Sequence, residues 1–111
     1  MELAAGETLF REGDTGTSAY QILSGVVRVT VDGATGPTEL ARRSVGELIG
    51  ELSILSRDPR SATVTAVEHT RLAVITPDRI ERELDTANPL LAKMVRSLSH
   101  RLRQAADGAR G

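Results

Sequence analysis

A mainly β fold, a roll or barrel of short strands finished by two helices, is what this sequence predicts. Three observations predict it. Short apolar stretches recur between turn residues through the first two thirds of the chain. Within them the apolar side chains alternate with a period of two. After Thr76 the spacing changes to that of a helix, and it does so twice, each time behind a proline. With 111 residues, the chain has the length of a single domain, 1–111. The roll is expected over 1–76 and the helices over 77–106.

Glu7 to Arg11 is a short apolar stretch that ends in Gly13-Asp14-Thr15-Gly16, read as a tight turn between strands. Ala19 to Val31 holds two strand segments. Tyr20 and Ile22 share one parity, and Val27, Val29 and Val31 share the other, so a turn or bulge must separate them. Ser24-Gly25 supplies it, because glycine accepts backbone angles that other residues avoid. Asp32 to Pro37 is expected to be a loop, Leu40 to Arg43 a weak strand, and Val45-Gly46 a further turn. Ser61 to Val67 alternates Ala62, Val64 and Ala66 against Thr63, Thr65 and Val67. Arg71 to Ile75 completes the strands.

Thr76-Pro77-Asp78 is a helix start: threonine caps, proline suits the first helical position, and the aspartate opposes the positive helix end. Ile75 and Ile80 have the spacing of a hydrophobic staple. Asn88-Pro89 ends this helix and begins the next. Along the second helix Leu91, Val95, Leu98, Leu102 and Ala105 recur at spacings of four and three, a heptad seam. Such a seam packs either on the chain's own roll or against a second helix in a dimer, and the sequence leaves both open. Asp107 to Gly111 is expected to fray.

Composition narrows the chemistry. Fourteen basic residues against fifteen acidic ones leave a net charge of -1, which speaks against direct nucleic-acid binding. Phe10 and Tyr20 are the only aromatics, so no base-stacking platform exists. The absence of cysteine excludes disulfides, zinc thiolates and thiol nucleophiles. His69 and His100 stand far apart without ligand-type spacing, and each is read as solvent-exposed. Neither a nucleophile elbow nor a Walker-type phosphate loop is present. No apolar run approaches the roughly 18 residues of a membrane span, and Met1-Glu2-Leu3 does not open a signal peptide, so no membrane contact within the chain and a cytoplasmic setting are expected. A binding module without catalytic activity, cofactor or metal is the expectation.

The informative stretch runs from Ile49-Gly50-Glu51-Leu52-Ser53-Ile54-Leu55 through Ser56-Arg57-Asp58 to Pro59-Arg60-Ser61-Ala62-Thr63-Val64-Thr65-Ala66. A glycine opens a short apolar helical turn whose free N–H groups form a place for an anion. Arg60 offers a planar fork matched to two phosphate oxygens. Ser61 can add a hydroxyl, and Ala62 leaves room. Glu51 would repel a phosphate, so it must face a donor such as a sugar hydroxyl. An anion and a diol side by side describe a nucleotide. The plainer alternative is a surface ion pair between Glu51 and Arg60, worth little.

In order and residue type, the stretch 49–66 resembles the phosphate-binding cassette of the cyclic nucleotide-binding domain family, which includes the catabolite activator protein, the protein kinase A regulatory subunit and cyclic nucleotide-gated channels. Gly6-Glu7, Leu9-Phe10, Glu12-Gly13-Asp14, Tyr20, Ile22, Ser24-Gly25, Val27 and Gly46 resemble the family's strand and turn markers, so the likeness runs from about Gly6 to Leu102. It implies an eight-stranded, jelly-roll-like β-roll (a double-stranded β-helix) with a short phosphate-binding helix and flanking helices. It implies cAMP, with cGMP second, as ligand. Glu51 would accept from the ribose 2′-hydroxyl and Arg60 would pair with the cyclic phosphate. Gly50 and the N–H groups of Leu52 and Ser53 would complete the cradle, with Ser61 and Ala62 contributing at the strand start. Arg103, on the C-terminal helix, would cover the base. The implied partner is a second copy or a larger effector protein, reached through that helix. The sequence opens at the first strand, where the family usually has a helix, and shows no output element. That fits an isolated sensor or a piece of a longer protein.

Overall fold

The structure is a computed structural model. It describes residues 1–51, 58–86 and 88–110, the side chains of residues 103 and 105–110 excepted. Eight strands form two four-stranded sheets. The strands are β1 (Glu2–Leu3), β2 (Thr8–Phe10), β3 (Ala19–Ser24), β4 (Val27–Gly33), β5 (Gly36–Arg43), β6 (Leu48–Ile49), β7 (Thr63–Ala66) and β8 (Thr70–Ile75). One sheet runs β1-β8-β3-β6 and the other β2-β7-β4-β5, with every pairing antiparallel. Consecutive strands alternate between the two sheets except at the β4–β5 hairpin, which is the jelly-roll arrangement. Two helices follow, α1 (Pro77–Thr86) and α2 (Pro89–Arg110).

The parity switch falls where the sequence placed it. β3 ends at Ser24 and β4 begins at Val27, and the two strands belong to different sheets. Gly25 carries the chain across at φ +96°, and a Cβ there would lie 2.5 Å from the His69 carbonyl oxygen. Alternation then fills the space between the sheets. Leu3, Ile22, Val27, Ile49, Val64, Ala66 and Leu72 form the buried cluster, with Leu9, Phe10, Tyr20 and Val29 packed against it.

Two local expectations need correction. Asp32 to Pro37 is not a loop: pairing continues through Asp32↔Pro37 to Gly33↔Gly36, and only Ala34 and Thr35 turn. Gly36, at φ +120°, allows so tight a hairpin. Strands β1 and β6 have two residues each, too few to display a period. The backbone of α2 stays helical to Arg110 rather than fraying from Asp107: the strong formers Gln104, Ala105 and Ala106 carry the helix into Asp107 and Gly108, which by themselves disfavour it.

The helix starts follow their caps. The Thr76 hydroxyl accepts from the Arg79 N–H at 3.3 Å, and Asn88 Oδ1 accepts from the Leu90 N–H at 2.9 Å. Arg96 of α2 reaches Asp85 at 3.2 Å and Glu81 at 3.4 Å on α1, an exposed clasp of small energetic weight. The heptad seam is not covered by the roll. Leu91 and Leu98 are more than half exposed, while Ala92 and Ser99 are buried.

Candidate functional site

The register of one sheet builds the floor of a cavity. Phe10 of β2 pairs with Val64 of β7, Val64 with Val29 of β4, and Val29 with Ala41 of β5. These four side chains form a row on one face across the whole sheet, and all four line a cavity of about 340 Å³. Three interstrand steps of about 4.8 Å make that row roughly 14 Å long. Gly50, Glu51, Arg60, Ser61 and Ala62 line the same cavity, and Arg60 and Gly50 lie against Phe10 at one end of the row. The structure therefore brings together five of the residues singled out in the sequence. Leu52 and Ser53 lie outside the described residues, as does the short helix expected there, and so does the side chain of Arg103.

Arg60 is 5% exposed. Burying a cation is costly unless its donors are met, and here they are met by backbone and a ring. Nη2 donates to the Ser18 carbonyl at 2.9 Å and Nη1 to the Gly50 carbonyl at 3.3 Å. The guanidinium carbon sits 4.2 Å from the centre of the Phe10 ring, close enough for a cation–π contact. Burial pushes the guanidinium below its ordinary pKa, while Tyr20 and Asp14 act in the opposite direction. An arginine keeps its charge at neutral pH all the same.

Gly50 has a clear physical reason. Its φ is +75°, and a Cβ would stand 2.7 Å from Arg60 Nη1. The room that glycine makes is taken up by the arginine itself. Glu51, the next residue, is exposed at the cavity. Among the described residues no ion pair joins Glu51 to Arg60, so the surface-pair reading does not hold. Ala62 is buried and Ser61 exposed at the start of β7. His69 is exposed and lies 3.6 Å from Glu2, and His100 is exposed on α2. Among the described residues no cluster of His, Asp or Glu could hold a metal ion.

Sequence reasoning missed Val29, Leu40, Ala41, Arg43 and Leu48 among the residues that line the cavity. The parity of Val27, Val29 and Val31 pointed at the first of these. The strand pairing that brings β5 beside β4 leaves no local mark. It also missed the contribution of the β2–β3 turn, whose carbonyls reach Arg60.

The family model for the cyclic nucleotide-binding domain matches residues 1–87. The chain belongs to the cyclic nucleotide-binding domain family. A putative potassium channel protein of Rhodopseudomonas palustris is 34% identical over 100 residues, covering 87% of this chain and 23% of that protein. The chain thus spans under a quarter of that relative's length. Among solved structures, the EAL enzyme Bd1971 in its halfsite-occupied form has a TM-score of 0.87 at 30% identity, covering 96% of both chains. The same enzyme in cAMP-bound and cGMP-bound forms gives TM-scores of 0.76 and 0.77, at 31% and 30% identity. These cover 99% and 98% of this chain, and 30% and 29% of that enzyme. The catabolite activator protein of Thermus thermophilus has a TM-score of 0.76 at 30% identity, over 99% of this chain and 52% of that one. The two-sheet roll with C-terminal helices is the fold of a family domain, and no described helix is long and apolar enough to cross a membrane.

Proposed function

We propose that this domain is a non-catalytic, cytoplasmic sensor of cAMP, with cGMP as the second ligand, and that it passes ligand binding on through its C-terminal helices. One observation carries the reading: Glu51 and Arg60 line one apolar-floored cavity without pairing with each other. A guanidinium at one position and a carboxylate at another, with no ion pair between them, suit a phosphate and a ribose hydroxyl held side by side. The volume lies in the range of small-molecule sites. The roughly 14 Å row leads from the Arg60 end to the apolar wall of β4 and β5, which suits a purine. Glu51 accepts from the 2′-hydroxyl and Arg60 binds the cyclic phosphate. Gly50 with the Leu52 and Ser53 N–H groups completes the cradle, Ser61 and Ala62 close it, and Arg103 covers the base. That a family member is solved with each of the two nucleotides supports both as ligands here. Binding acts as a population shift, favouring one placement of α1 and α2 over another.

Calorimetric titration with cAMP and cGMP tests this, on the parent and on Arg60→Ala. Removing one partner of a buried charge pair costs about 2–5 kcal/mol, so the variant should bind well over tenfold more weakly. Equal affinity in parent and variant would show that the pocket is assigned wrongly.

The exposed apolar face of α2 favours an addition. Leu90, Leu91, Met94 and Leu98 are each more than half exposed on one helix. That face is the surface through which the sensor meets a second copy or an effector.

A further inference from the structure

On the reading of Arg60 as the phosphate ligand, we infer that the β2–β3 turn, residues 11–18, is a second arm of the phosphate site and that Gly16 is its positioning residue. Three hydrogen bonds tie the turn to Arg60. The Gly13 N–H donates to the Arg60 carbonyl at 2.8 Å, and the Arg60 N–H donates to the Asp14 carbonyl at 2.8 Å. The Ser18 carbonyl accepts from Nη2 at 2.9 Å. Both backbone groups of Arg60 and one end of its guanidinium are therefore fixed by a segment more than 40 residues away in sequence.

Gly16 faces the guanidinium directly. A Cβ there would lie 2.7 Å from Nη2, 3.0 Å from Nε and 3.1 Å from Cζ. All three atoms belong to Arg60, so a methyl group at this point displaces that side chain before anything else. Gly16 also differs from Gly6, Gly13 and Gly46. Those have positive φ and nothing within 4 Å of the point where a Cβ would stand, whereas Gly16 lies outside the left-handed region. Its backbone tolerates alanine, and the guanidinium is what requires glycine. Gly50 plays the matching part at the other guanidinium nitrogen, with its own Cβ position 2.7 Å from Nη1. The guanidinium of Arg60 is thus bordered by two residues without side chains and lies over the Phe10 ring. Arginine recognises phosphate through a fixed planar fork, so the direction of that plane sets affinity.

The experiment is Gly16→Ala in the full chain, read three ways. Calorimetry with cAMP and cGMP should show a loss of about tenfold or more for both nucleotides, as a displaced charge partner requires. The Arg60 Nε–H resonance in the ligand-free protein should move. In an Arg60→Lys background, which has no guanidinium plane to displace, Gly16→Ala should cost clearly less affinity. Unchanged affinity, an unmoved Nε–H resonance, or an equal loss in both backgrounds would overturn the inference. If the parent bound neither nucleotide, the sensor reading would fail, and the ligand-free resonance would still decide whether Gly16 positions Arg60.

Discussion

Glu51 is a carboxylate at the rim of a cavity whose buried charge is positive, and it makes no ion pair among the described residues. A structural acid is normally explained by the cation it neutralises. On the proposed reading, Glu51 meets instead a neutral donor brought by the ligand. The prediction is therefore a comparison of ligands. Glu51→Gln keeps the shape and removes the charge, so it should weaken cAMP by about 1.5–3 kcal/mol, as for a hydrogen bond to a charged group. It should weaken 2′-deoxy-cAMP far less. Paired titrations check this, and equal losses for both ligands would remove the ribose role. The sequence already held this much of the site, because the glycine, carboxylate, proline, arginine and small residues lie close together in the chain. It did not hold the acceptors of Arg60. The Ser18 carbonyl is 42 residues away, and a backbone oxygen leaves no trace in residue type.

At the scale of elements, the legible features were those written in consecutive residues. The alternation of Ala62, Val64 and Ala66 gave the inward face of β7, and these three are buried. Thr76-Pro77 and Asn88-Pro89 gave the two helix starts. The illegible ones depend on pairing. β5 is an edge strand, exposed along most of its length, so no alternation marks it, and its Pro37, Glu39, Arg42 and Arg43 discourage pairing with another chain. The link between β3 and β4 makes a testable case. Gly25 combines φ +96° with a Cβ position 2.5 Å from the His69 carbonyl oxygen and 2.7 Å from the Thr70 Cα. Both are backbone atoms of the turn into β8, and Thr70 is fully buried, its hydroxyl donating toward Glu68 and Val26 carbonyls. Gly25→Ala should destabilise the roll by about 1–3 kcal/mol from backbone strain alone. A melting temperature lower by about 4 °C or more should follow. An unchanged melting curve would mean that the crossover can relax without β8.

For the whole molecule, the question is what the long second helix does. Among the described residues, the buried cluster between the sheets is made of strand residues. Among the described side chains of α2, the buried ones are the small Ala92 and Ser99. Its large apolar residues point the other way: Leu90 is 68% exposed, Leu91 55%, Met94 54% and Leu98 53%. Fully burying a leucine is worth about 1.5–3 kcal/mol, so leaving such a stripe in water is a substantial forfeited gain unless another surface covers it. The seam was legible from its spacing, whereas its occupant is not a property of one chain's local pattern. If the stripe meets a second copy, the parent should sediment as a concentration-dependent dimer. Leu91→Lys combined with Leu98→Lys should then sediment as a monomer, because a like charge would be buried on both sides of a two-fold contact. The double variant should still bind nucleotide, since neither residue lines the cavity. A parent that stays monomeric at every concentration, with and without cAMP, would exclude self-association and leave an effector protein as the partner of this face.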